Sequence, residues 1–188
     1  MSERVANINV LCEDHDQQNL VRRYLGHFKI TNVRYEPVPG KSGSGEQYVR
    51  TQFAKLVGVC RGTLGKKTKC LLIVVTDADN QTVQAREQTL HDVLKAANSS
   101  AITAGEPIVI LIPKWQVETW IKCLLGQPMA EDDRHSDQPP VTAGEIKRAA
   151  ATLHEWTRPN AAVGPTCVPS LRLALPRWQR IGRLNPIG

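Results

Sequence analysis

Apolar residues fall into two patterns along this chain, short unbroken runs and recurrences every third or fourth residue, and the two alternate. Ile8–Cys12 is a short run with β-branched residues and predicts a first strand. From Asp16 or Gln17 onward, Leu20, Tyr24 and Phe28 recur at the spacing of one helical face. Val33, Tyr35 and Pro37 alternate with polar residues, and the prolines make this second strand an edge strand. A glycine- and serine-rich loop, Gly40–Gly45, precedes a helix from Glu46 to about Cys60 that carries Val49, Phe53, Leu56 and Val57 on one face. Cys70–Val75 is apolar without alternation, so it reads as a strand buried on both faces, as in the centre of a parallel sheet. Gln81–Ala97 returns to helical spacing through Val83, Leu90, Val93 and Leu94. Ile108–Ile112 is a second doubly buried strand, and a helix over Lys114–Leu125 follows it.

Strands alternating with helices predict βαβ units, hence an α/β fold with a mostly parallel sheet flanked by helices, over residues 1–125. Residues 126–188 read as a proline-rich extension. It holds an acidic loop, Gly126–Val141, then a helix at Ala143–Trp156, and room for one more at Ser170–Gln179 between prolines. No apolar run approaches the roughly 20 residues of a membrane span. The first residues include Glu3 and Arg4 rather than an apolar leader, so a cytoplasmic protein with no membrane contact is expected. Cys12, Cys60, Cys70, Cys123 and Cys167 are scattered singly, with no C-x-x-C pair, and read as reduced core residues.

Charge adds a second layer. The chain carries 24 Lys and Arg against 18 Asp and Glu, a net +6. After Glu155 there is no acid, only Arg158, Arg172, Arg177, Arg180 and Arg183, a tail that suits a phosphate backbone or a solvated, partner-facing segment.

Ligands of open parallel sheets collect at the carboxyl ends of the strands. Glu13 and Asp14 follow the first strand, Asp77 and Asp79 follow the central one, and Glu118 lies one helical turn beyond the last. Like charges brought together need a cation, and hard carboxylate oxygens suit Mg2+ or Mn2+. In the extended chain, the Asp77-x-Asp79 spacing turns both carboxylates toward one ion, with Glu13 sharing it or moving a proton. The alternative reading is a helix cap, with Asp79 or Asn80 opening the Gln81 helix.

The run Ile8–Glu13 followed by a helix, then Leu71–Asp79, resembles the TOPRIM domain, whose signature is a Glu after the first strand and Asp-x-Asp after a later one. Glu13, Asp77 and Asp79 match it. Ile112–Leu125, with Pro113, Glu118 and Trp120, is similar to the Pro…Glu-x-Trp segment of the OLD-like and phage-defence branch, where an added acid at the Glu118 position joins a second metal. The resemblance spans about residues 5–125; Asp14 stands where many members have Gly. It implies a Rossmann-like TOPRIM fold and a Mg2+- or Mn2+-dependent nuclease in which Glu13, Asp77, Asp79 and Glu118 hold metal and carry the catalysis. It also implies DNA or RNA as substrate, a defence role and an ABC- or AAA-type ATPase partner. Homo-oligomerisation stays open. No topoisomerase tyrosine domain or primase zinc domain fits beside it.

Four cations are candidate nucleic-acid contacts. Lys41 and Arg50 flank the helix start at Glu46, where free backbone N–H groups attract phosphate. Arg86 and Lys114 follow the central and last strands, and either can offset charge on a phosphate; for Arg86, ion pairing to Glu87 or Glu118 is the alternative. Gly40-Lys41-Ser42 looks like the end of a Walker A motif, but Tyr35 stands where the motif requires Gly, which rules out a P-loop. Two competing functions remain: a non-catalytic nucleic-acid-binding or ATPase-partner subunit, and a receiver-like phosphoacceptor using Glu13, Asp14, Asp77 and Lys114.

Overall fold

Four parallel strands and six helices make up the described residues (5–39, 44–66, 69–131 and 139–183) of the computed structural model. The order is β1 (Val5–Cys12), α1 (His15–Gly26), β2 (Val33–Tyr35), α2 (Gly45–Arg61), β3 (Lys69–Val75), α3 (Val83–Ala96), β4 (Ile108–Leu111), α4 (Val117–Leu124), α5 (Ala143–Trp156) and α6 (Pro169–Arg183). The sheet order is β2-β1-β3-β4, with every pairing parallel. This is an α/β, Rossmann-like architecture. The chain leaves β1 for β2 on one side and reaches β3 and β4 on the other, so the order reverses between β1 and β3.

Alternating side chains of the central strands feed two cores. Val10 and Cys12, with Leu71, Ile73 and Val75, face α1, α4, α5 and α6. Leu11, Cys70, Leu72 and Val74 face α2 and α3. Unbroken apolar runs are required because both faces are covered. All five cysteines are buried and none forms a disulfide. Tyr24 hydrogen-bonds the Trp178 carbonyl at 3.0 Å, and Trp120 donates to Ser170 Oγ at 2.6 Å, so α6 is tied to α1 and α4. No helix of the described residues is long and apolar enough to cross a membrane.

Several boundaries depart from the pattern, each for a local reason. Helix α1 opens at His15 because Asp14 caps it, accepting from Gln17 N at 2.8 Å. Helix α3 is capped by Thr82, so neither Asp79 nor Asn80 has that task. Helix α4 starts at Val117, after a turn at Lys114–Gln116. Helix α6 runs through Pro176 to Arg183. Burial of Leu171, Leu175, Trp178 and Ile181 along one face outweighs the roughly 3 kcal/mol a proline costs inside a helix.

Two of the four arginines of the last helix, Arg177 and Arg180, are not part of an open phosphate-tracking tail, whereas Arg172 and Arg183 are exposed. Arg177 Nη1 donates to the Ile110 carbonyl at 2.8 Å and Nη2 binds Glu87, while Arg180 donates to the carbonyls of Ile108 and Glu106. They satisfy the outer carbonyls of edge strand β4, a row that would otherwise invite another strand. Glu131 is no free loop acid either: its carboxylate accepts from Ser170 N at 2.9 Å, in the first turn of α6.

Candidate active site at the carboxyl rim

The reversal of strand order between β1 and β3 is the place where such a sheet leaves a crevice at its carboxyl rim. Glu13 leaves β1 at this point, and Thr76, Asp77 and Asp79 leave β3 beside it. Glu118, in the first turn of α4, joins them from the other side of β3.

Asp77 lies deepest, at 8% exposure. Its Oδ1 accepts from Gln17 Nε2 at 2.9 Å, a neutral partner. Burial pushes its carboxyl well up, and the charges of Glu13, Asp14, Glu118 and Asp79 push it further. The Glu13 carboxyl rises to about 7, chiefly by burial; a hydrogen bond from Thr76 Oγ1 and the charge of Arg86 pull the other way. Glu118 and Asp14 are raised too, again by burial first. Among the described residues no Lys, Arg or His forms an ion pair with Glu13, Asp14, Asp77 or Glu118.

Asp79 behaves differently from the expectation of two carboxylates turned one way. The chain has already left the strand: Gln81 N bonds the Ala78 carbonyl at 2.9 Å, and Asp79 sits at φ +51°. This left-handed turn swings its carboxylate out, half exposed, to Arg86 Nη2 at 3.2 Å. Arg86 is buried and also binds Glu46 at 2.5 Å, so it pairs with neither Glu87 nor Glu118. Its Nε is buried without a partner.

The other predicted contacts scatter. Lys114 Nζ donates to the carbonyls of Asp79 and Gln81 at 2.9 and 2.8 Å and lies over the Trp115 ring, pinning the Asp79 turn rather than reaching toward the Asp77 carboxylate as a receiver would require. Arg50 is exposed, 3.6 Å from Glu46. Lys41, with the Gly40–Ser42 segment, lies outside the described residues, as do Asp132, Asp133 and Asp137.

Three supporting residues escaped the sequence reading. Gln17 is fully buried and bridges the rim, accepting from Glu13 N at 2.9 Å while donating to Asp77. The Asp14-x-x-Gln17 spacing, typical of a helix start, was its only signal. Thr76 holds Glu13, and Glu46 holds Arg86. Gly45 lets α2 approach the rim: a Cβ there would lie 2.5 Å from the Glu13 carbonyl oxygen.

The donor set fits a hard divalent cation in chemistry: carboxylate oxygens, one of them on the buried Asp77, crowded by its own kind and hydrogen-bonded only to a neutral amide. Among the described residues no three acidic, imidazole or thiol groups already stand as a closed cage. Magnesium asks for less, since it takes one or two carboxylates and keeps several waters. Comparisons with protein-family models, curated proteins and solved structures find no match to this chain.

Proposed function

We propose that this chain is a cytoplasmic, metal-dependent nuclease of TOPRIM type that hydrolyses phosphodiester bonds of DNA or RNA. A role as effector of a phage-defence system beside an ABC- or AAA-type ATPase follows from the same resemblance. One observation carries the reading: acids from three separate strand ends crowd around the buried Asp77 at the order-reversal point, and among the described residues Glu13, Asp77 and Glu118 have no ion-pair partner.

Asp77, with Glu118 and Glu13, would hold Mg2+ or Mn2+, and Asp79 would join once released from Arg86. When bound, the cation orients the phosphodiester and stabilises charge on its oxygens. Where Glu13 stays off the cation, its carboxyl, raised by burial to about 7 in the metal-free protein, is suited to take the proton of an attacking water at Oε2, because Oε1 is engaged by Thr76; bound to the cation it would be a ligand instead. Water oxygen then bonds to phosphorus and the bond to the leaving oxygen breaks. Arg86, fixed by Glu46, offsets charge on the phosphate. Gln17 keeps Asp77 aimed at the crevice.

The test is cleavage of plasmid and of labelled single-stranded DNA and RNA with Mg2+ or Mn2+. Glu13→Ala and Asp77→Ala should each lower the rate by at least about 100-fold, on the scale of lost acid–base or electrostatic groups, with unchanged circular dichroism. Full activity in both variants overturns the reading. The Arg86–Asp79 bridge, which withholds one carboxylate, favours a second reading as a non-catalytic nucleic-acid-binding subunit. That reading stands if the wild-type chain never cuts, with or without an ATPase partner.

A further inference from the structure

Helices α1 and α5 pack side by side and leave an open groove of about 520 Å³, lined by Arg22, Arg23, His27, Lys147, Arg148 and two small residues. All four cations are exposed, and no carboxylate lines the groove. On α5 the acids nearest in sequence are already engaged. Glu145 binds Lys122 at 2.9 Å and caps α5 through Thr142, and Glu155 binds Arg158 at 2.8 Å. Arg22 is steadied by neutral groups only, Gln18 at 3.4 Å and the ring of Tyr35 at 4.5 Å. Among the described residues Arg23, Lys147 and Arg148 form no ion pair.

Four like charges lining one concave surface repel one another and gather anions. We infer that this groove is the docking surface for the sugar-phosphate backbone of a nucleic acid. A polyanion with a charge every ~3.4 Å along each strand matches a row of cations that has no acid among it. A membrane surface would also call for apolar residues to insert, yet the exposed large apolar side chains, Val59, Leu64 and Leu173, lie elsewhere. Placement adds a reason, which rests on the nuclease reading above. At about 1.5 Å per residue, Arg22 lies about 10 Å and His27 about 18 Å along α1 from His15, which adjoins the acidic rim. A duplex lying along the groove covers that distance toward Glu13 and Asp77 in about three to five base pairs at ~3.4 Å each.

The test is fluorescence anisotropy of the full chain with labelled oligonucleotides in EDTA, as single-stranded DNA, duplex DNA and single-stranded RNA. Binding is read without cleavage, so it does not depend on the rim. Arg23→Glu/Lys147→Glu/Arg148→Glu should weaken binding at least about 10-fold. It should also reduce the slope of log affinity against log salt by about 2 to 3, near 0.7–0.9 for each lost contact. Lys55→Glu/Lys66→Glu/Lys95→Glu, an equal charge change on exposed residues outside the groove, should cost under about 2-fold. If the glutamate triple fails to fold by circular dichroism, the matching glutamine triple carries the same salt-slope expectation. Equal loss in both triples overturns the proposal, as does a wild-type chain that binds no oligonucleotide. Groove-dependent binding to phosphatidylserine vesicles without binding to oligonucleotides overturns it in favour of a lipid surface. Groove-dependent oligonucleotide binding by a chain that never cuts sustains this inference and sinks only the nuclease.

Discussion

The two ends of the sheet treat buried charge in opposite ways. At the amino end of β4, Glu106 meets Arg61 at 2.6 Å, with side chains 11% and 19% exposed. The same guanidinium reaches Ser99 Oγ at 2.6 Å and the Ala101 carbonyl at 3.1 Å. The Glu106 carboxyl is held below its ordinary value, mainly by the hydrogen bond from Arg61. At the carboxyl end, the buried Asp77 and the part-buried Glu13, Asp14 and Glu118 have no ion-pair partner among the described residues, and every one is pushed up. A folded chain tolerates uncompensated buried charge only where something outside the polypeptide completes it or where function needs the perturbed group. The paired end is architecture; on the function proposed above, the unpaired end is where a ligand would bind.

Removing one partner at each end should therefore give effects of opposite sign. Arg61→Ala leaves Glu106 buried without its cation and strips two further hydrogen bonds; a loss of about 2–3 kcal/mol in urea unfolding is expected. Asp77→Asn keeps the shape and the acceptor oxygen for Gln17 while deleting the most crowded charge. The metal-free protein should gain about 1 kcal/mol, or about 2–4 °C in Tm. If Asp77→Asn destabilises as much as Arg61→Ala, the carboxyl rim is held together by its acids and the contrast between the ends fails.

The pH dependence sharpens the same contrast. The Glu13 carboxyl is raised from 4.5 to about 7, so the folded state binds its proton more tightly than the unfolded state. That stability is full below about 4.5 and is lost as pH rises through about 7. Glu106 is lowered, so its contribution is present at neutral pH and is lost as pH falls through its folded value. His154, lowered by burial and by His27, acts against the Glu13 slope in part of the same range. A difference between variants is the clean measurement. The Tm of Glu13→Gln minus that of wild type should grow as pH rises from about 5 to about 7.5, in metal-free buffer. Saturating Mn2+ should shrink the gap by stabilising wild type, by about 2.7 kcal/mol at 100 Kd. A gap that stays flat with pH would place the Glu13 carboxyl in water.

The strand runs and their helices were legible because burial on both faces leaves no freedom in composition: Cys70–Val75 has to be apolar throughout. The edge position of β2 followed from Pro37. The acids at the rim were legible through topology, since carboxylates after β1, after β3 and in the first turn of α4 can only meet at one rim. What could not be read depends on turns and distant approach. Asp79 faces Arg86 because one residue adopts a left-handed conformation, and Arg86 is fixed by Glu46, 40 positions away. Arg177 and Arg180 of α6 looked like part of a free basic tail because composition does not say that an edge strand has carbonyls in need of donors.

Two glycines of α2 make the smallest break in the comparison. Gly58 stands in mid-helix with nothing within 4 Å of an added Cβ. Gly58→Ala removes backbone freedom from the unfolded chain and should stabilise by about 0.5–1 kcal/mol, leaving any activity untouched. Gly45 begins the same helix, where an added Cβ would lie 2.5 Å from the Glu13 carbonyl oxygen and 2.9 Å from Glu13 Cβ. Backbone cannot yield as a flexible side chain does, so Gly45→Ala has to push the start of α2 away from the rim. A cost of about 1–3 kcal/mol is expected, even though alanine is the better helix former. Glu46 moves with it and loosens its hold on Arg86, so cleavage should fall further than stability alone explains. If both alanines stabilise equally, the rim is looser than the closeness of Gly45 to Glu13 implies, and the carboxyl end loses its claim to be a built site.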